Sequence, residues 1–211
     1  MVCILEFVDL SPNHSLSLPG LPAACETSSP QAWQWSGDRL VANAGPGDNL
    51  FISPITRKSD LSAPVLRFPV EGDFLLSARV EVHFRETFDA AALINGREEG
   101  IWAKLCLEFS PEHQPMVVSV VTRGTSDDAN CLVHPRPWIY LRIARIGEGF
   151  AFHYSVANSS PWQLVRAFTL DSAAPLWAGF LIQSPRGSGC EGEFSDIRWD
   201  PATLNELRSG E

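Results

Sequence analysis

The chain has 211 residues, of which 45% are hydrophobic and 19% charged, with 7 tryptophans and a formal net charge of −9. That length and apolar content allow roughly 70% of the unfolded surface to be buried, which excludes a disordered chain. Acidity without any run of Lys or Arg excludes a phosphate-tracking surface, so neither nucleic acid nor an anionic membrane is an expected partner.

In chain order, Met1 to Asp9 carries no basic residue and is interrupted by Glu6 and Asp9, so it does not read as a secretory leader. Residues 11–32, rich in Ser, Pro and Asn, read as an irregular arm. Arg39–Ala44 and Asn49–Ser53 are two short strands with Gly45-Pro46-Gly47-Asp48 as a turn between them. Over Phe74–Arg85 the residues Phe74, Leu76, Ala78, Val80, Val82 and Phe84 alternate with Leu75, Ser77, Arg79, Glu81, His83 and Arg85. Such a period of two predicts a strand with one apolar face. Further β-type segments follow at Ala90–Ile94, Ile101–Phe109, Met116–Arg123, Trp138–Ile146, Phe150–Val156, Trp162–Leu170, Trp177–Gln183 and Glu193–Trp199. Gly147-Glu148-Gly149 between two of them predicts a hairpin. Residues 201–208 are the one predicted helix, with Asp200 as cap and Pro201 in its first turn. Successive short strands without intervening helices predict an all-β, two-sheet antiparallel jelly-roll sandwich, one domain over 1–211.

No segment approaches the ~20 apolar residues of a spanning helix. The five cysteines, Cys3, Cys25, Cys106, Cys131 and Cys190, are odd in number, scattered and free of C-x-x-C spacing. They predict no disulfide and no zinc, and fit buried thiols in a reducing cytoplasm. A cytoplasmic protein without metal or cofactor is the expectation.

Four features could carry chemistry. Along Ile101–Phe109 one face is apolar and the other presents Trp102, Lys104, Cys106 and Glu108. An aromatic plane beside a cation and an anion suits a polar ligand such as a carbohydrate, and equally a solvated face with a cross-strand ion pair. Cys106, beside Lys104, is the one thiol that could be reactive; the others are expected to be inert. Trp138, Tyr140 and Arg142 share a face and could line the same groove or pack inward. The segment 122–130 reads as a loop in which Ser126, Asp127 and Asp128 supply hard oxygen ligands or simply a turn; its spacing matches no cation loop, so no metal is expected. Gln183 closes the candidate ligand-binding set of Trp102, Lys104, Glu108, Ser126, Asp127, Asp128, Tyr140, Arg142 and Gln183.

Several strings together resemble one family: Trp102-Ala103-Lys104-Leu105-Cys106-Leu107-Glu108, the run from Ser119 to Asp128, Leu141-Arg142-Ile143-Ala144-Arg145, Phe152-His153-Tyr154-Ser155 and Gln183-Ser184-Pro185-Arg186-Gly187. The chain is similar, from about Trp33 to its C-terminus, to the concanavalin A-like jelly-roll family of unknown function that includes the fungal regulation-of-enolase protein. The resemblance implies a lectin/glucanase-type sandwich with a concave sheet. It departs at Ser155–Trp162, which lacks the family's Asp-Gly before the Trp, and at Asn95-Gly96-Arg97-Glu98-Glu99. Glucanases of this fold place two carboxylates about 5–5.5 Å apart on one strand. Here Glu108-Phe109-Ser110-Pro111-Glu112 has no middle Asp, and its Pro ends the strand.

Three functions follow from these residues. The first is a non-catalytic module binding a carbohydrate or small polar ligand on the concave sheet. The second is a regulatory protein that binds a metabolic enzyme, as the resemblance implies. The third is an enzyme on a sugar-like substrate through Glu108 and Asp127.

Overall fold

A computed structural model describes residues 15–158 and 160–211. The N-terminal run read as no leader, Cys3 and the start of the arm lie outside them.

Among the described residues, seventeen strands form two large antiparallel sheets and one hairpin. They are β1 (Ser15–Leu16), β2 (Cys25–Glu26), β3 (Trp33–Ser36), β4 (Arg39–Ala44), β5 (Leu50–Ile52), β6 (Ser59–Leu61), β7 (Val65–Pro69), β8 (Phe74–His83) and β9 (Ala90–Glu98). The remainder are β10 (Ile101–Phe109), β11 (Pro115–Arg123), β12 (Ser126–Val133), β13 (Trp138–Ile146), β14 (Gly149–Ser155), β15 (Gln163–Thr169), β16 (Trp177–Gln183) and β17 (Cys190–Asp200). The first sheet has the order β1-β2-β7-β16-β9-β10-β11-β12 and the second β15-β14-β13-β8-β17-β4-β3, while β5 and β6 pair by themselves. The arm is thus partly ordered: β1 and β2 add to the edge of the first sheet, and Pro30–Ala32 forms a 3-10 turn.

Alternation decides which face each strand buries. In β8, Phe74, Leu76, Ala78, Val80 and Val82 are buried while Leu75, Ser77, Arg79 and Glu81 are only partly covered. They meet Leu93, Ala103, Leu105, Leu107, Phe180 and Ile182 of the first sheet in one core that spans both sheets. Strands β9 and β10, by contrast, are buried on both faces. The reason is a third layer. Leu50 of β5 and Ala63 after β6 pack on the outer face of the first sheet against Ala90, Ala92, Ile94, Trp102, Cys106, Val118, Val120 and Leu181.

Two expectations are corrected. Residues 201–208 form no helix: Asp200 ends β17 instead of capping, and the segment lies in extended and turn conformations with Leu204 buried on the outer face of the second sheet. The segment 122–130 is no loop but a tight turn at Gly124 between β11 and β12, whose backbone groups are satisfied in the ladder. Among the described residues no helix is long and apolar enough to cross a membrane.

Candidate functional site

On the outer face of the first sheet, strand register sets the side chains in rows. Lys104, Val120 and Asp128 stand in one row across β10, β11 and β12, and Gln183 and Glu108 flank Ala90 in another. The alanines leave room, and a cavity of about 350 Å³ opens over Lys104, Glu108, Val120, Asp128 and Gln183. Asn49 and Phe51 of the β5 region form its roof; Phe88, Pro185 and Arg186 form its rim.

Lys104 is only 2% exposed. Its ammonium donates to the Leu50 carbonyl at 2.8 Å and to Gln183 Oε1 at 2.6 Å, which leaves one of its three N–H groups for the cavity. Glu108 is half-buried, and its carboxyl is pushed up to about 7 by burial and by the Asp128 charge, against the pull of Lys104. The Asp128 carboxyl is raised too, by burial first, with Lys104 opposing. A carboxyl poised near neutrality both donates and accepts hydrogen bonds.

The surrounding polar network holds roof and rim in place. Buried Ser126 accepts from the Ile52 N–H at 2.9 Å and bonds the Thr122 hydroxyl, so it pins the roof to β12. Gln183 donates to the Phe88 carbonyl at 3.2 Å. Phe88 has a φ of 71°, a costly conformation for a bulky residue, and its N–H donates to the Phe109 carbonyl at 2.8 Å. Next to it, fully buried Asp89 accepts from the Arg85 and Glu86 N–H groups and from the Ser184 hydroxyl, locking the two rim loops together. The Arg186 guanidinium lies 4.6 Å over the Phe88 ring.

Of the residues singled out from the sequence, Lys104, Glu108, Asp128 and Gln183 come together here. Trp102 does not line the cavity: it is 3% exposed, packed under the third layer, with the Lys104 ammonium 5.8 Å from its ring. Ser126 anchors the roof and does not line the cavity either. Cys106 is not a reactive thiol, because complete burial pushes it up to about 12 despite Lys104. Asp127 points to the opposite face from Asp128, as strand alternation requires, and pairs with Arg166 at 2.8 Å. It cannot serve with Glu108. Tyr140 and Arg142 belong to the second sheet, away from the cavity, where Tyr140 donates to Asp196 at 2.8 Å and Arg142 lies under the C-terminal segment.

Asn49, Phe51, Phe88, Pro185 and Arg186 were not legible as site residues. Only Pro185 and Arg186 stood in a string that carried the resemblance. A separate group, His83, Glu191 and Glu193 on the second sheet, brings three potential ligand atoms within 4.8 Å of one another. It is the one such group among the described residues, and all three of its members already have partners: His83 Nδ1 lies 3.1 Å from the Glu191 carboxylate, and Glu193 pairs with Arg39 at 2.8 Å.

A family model described as "Protein of unknown function (DUF1349)" matches residues 27–202. The structure of a functionally unknown protein from Saccharomyces cerevisiae is similar at 19% identity and a TM-score of 0.75, over 83% of this chain and 94% of that one. The GH43 protein BlXynB from Bacillus licheniformis is similar at 13% identity and a TM-score of 0.64; this chain spans 35% of its length. The exoplasmic/lumenal domain of VIP36, in a Ca2+/Man3GlcNAc-bound form, is similar at 12% identity and a TM-score of 0.55, over 93% of this chain and 92% of that one. These likenesses show the fold, a lectin-type jelly roll. Among functionally curated proteins none matches the chain.

Proposed function

We propose that this chain, which belongs to the DUF1349 family of proteins of unknown function, is a non-catalytic module that binds a carbohydrate or another small polar ligand in the cavity over Lys104. The observation that carries this reading is Lys104 itself. An ammonium taken out of water is costly unless hydrogen-bonded, and here it is held in the floor of a cavity beside two carboxyls and an amide. Sugar hydroxyls both donate and accept, and these groups offer both. Phe51 and Phe88 supply apolar faces for sugar C–H groups, and a volume of about 350 Å³ suits a ligand of one or two rings. The structural likeness to a VIP36 domain bound to Man3GlcNAc supports the same reading.

The test is a thermal-shift and calorimetric screen of mono- and disaccharides and sugar phosphates. A ligand at a hundred times its Kd should add about 2.7 kcal/mol of native stability. Lys104→Met should abolish the shift while the chain stays folded. If no sugar shifts the melt, or Lys104→Met responds as the parent does, the reading falls.

A second reading, an enzyme acting on a sugar-like substrate, is favoured by Glu108 alone, whose carboxyl sits near neutrality with Asp128 in the place first given to Asp127. Turnover of aryl glycosides lost in Glu108→Gln with binding retained would support it. A regulatory role toward a metabolic enzyme rests on the family resemblance alone.

A further inference from the structure

On the outer face of the second sheet, Arg142 of β13 and His153 of β14 are cross-strand partners. Arg142 is 5% exposed, and its guanidinium lies 4.4 Å over the Trp162 ring. Nη2 donates to the Gly210 carbonyl at 2.8 Å, while Nε on the same edge of the guanidinium has no partner. No carboxylate pairs with it among the described residues. His153 is fully buried and donates from Nε2 to the Leu207 carbonyl at 2.7 Å.

A buried guanidinium with no counter-ion is costly, and here burial lowers it to about 10. The side-on edge formed by Nε and Nη2 matches the two oxygens of a carboxylate, yet a single neutral carbonyl uses half of it. What covers the edge is residues 203–211. They contain no strand or helix and lie beyond the family match, which ends at residue 202. They are held by the Gly210 and Leu207 carbonyls and by Leu204 and Leu207 packed on Ala144, Ala151 and Leu164. Gly210 is fitted to the contact: its φ is +73°, and a Cβ there would fall 2.2 Å from Arg142 Nη2.

We propose that Arg142, backed by Trp162, is a second binding site, one for the carboxylate of a small organic acid, which residues 203–211 occupy in cis and vacate when the acid binds. One buried cation balances one negative charge, so a monocarboxylate fits better than inorganic phosphate, which carries more than one at neutral pH. The site stands on the opposite sheet from the Lys104 cavity and is independent of its function.

The experiment uses D-glucuronate as probe, with D-glucose and inorganic phosphate as controls at equal ionic strength. In the full chain carrying Leu204→Ser and Leu207→Ser, which release the segment without adding a carboxylate, glucuronate should raise the melting temperature saturably. The half-effective concentration should be at least tenfold below that of the unmodified chain. Adding Arg142→Gln should remove the response. The same response with Arg142→Gln, an equal response to glucose or phosphate, or no gain on releasing the segment would overturn the proposal. A readout that needs no variant is amide exchange of the unmodified chain. Glu206, Ser209 and Gly210 should exchange several-fold faster in glucuronate than in glucose, and equal rates would also overturn it.

Discussion

Trp102, Lys104, Cys106 and Glu108 leave the same face of β10, and their surroundings give them four different chemistries. Trp102 fills the space beneath the third layer, so Trp102→Ala leaves a void in packed apolar surroundings. Denaturant melts should show a loss of about 3–5 kcal/mol, the cost of deleting a buried aromatic. A loss below about 1 kcal/mol would mean that the third layer does not cover this ring in solution. Glu108 acts in the opposite sense. Its carboxyl lies at about 7 in the fold against 4.5 unperturbed, so the native state binds the proton more tightly than the unfolded chain. This contribution to stability is complete below about pH 4.5 and is lost as pH rises through about 7. Glu108→Gln should therefore match the parent near pH 4 and exceed it at pH 8 by on the order of 1–3 kcal/mol. Melts at the two pH values check this; a variant less stable at pH 8 would show that the ionised carboxylate is stabilised by Lys104 more than it is penalised by burial.

At the scale of elements, the cavity depends on how β7 and β16 pair within the first sheet and on how the β5–β6 hairpin seats against it. Gly179 in β16 lies against β7, and a Cβ there would fall 2.0 Å from the Leu66 carbonyl oxygen and 2.8 Å from Arg67 Cα. Both contacts are backbone, so no rotamer can relieve them. Gly179→Ala should push β7 off its ladder at a cost of about 1–3 kcal/mol, with faster amide exchange in Val65–Pro69 and unchanged exchange in β13. Full protection of β7 in the variant would contradict the register. Strand β12 illustrates the converse case. Once Ser126–Val133 is a strand, Asp127 and Asp128 must face opposite ways, and only Asp128 can share the cavity with Glu108.

Across the whole molecule, most of the long strands were legible, while the short β7 was not and β12 was read as a loop. The alternation in Phe74–His83 and the Gly147-Glu148-Gly149 hairpin follow from local pattern, because a period of two and a tight turn are properties of a few adjacent residues. The same pattern placed Lys104 and Glu108 on one face. It could not place Trp102 in a core, because both faces of β10 are buried and the covering residues, Leu50 and Ala63, come from some forty to fifty positions earlier. Nor could it separate Tyr140 and Arg142 from Lys104, since membership of one sheet or the other is decided by strand order and not by spacing. The predicted tail helix failed for a related reason: burying Leu204 on the second sheet and extending β17 through Asp200 outweigh a local capping signal. By itself, then, the sequence determined an all-β sandwich and the alternation of faces in strands such as β8, since those depend on neighbours in the chain. Which polar faces meet in a cavity, and which charges are stripped of water there, was decided only by tertiary packing, because burial of a side chain is set by residues remote in sequence.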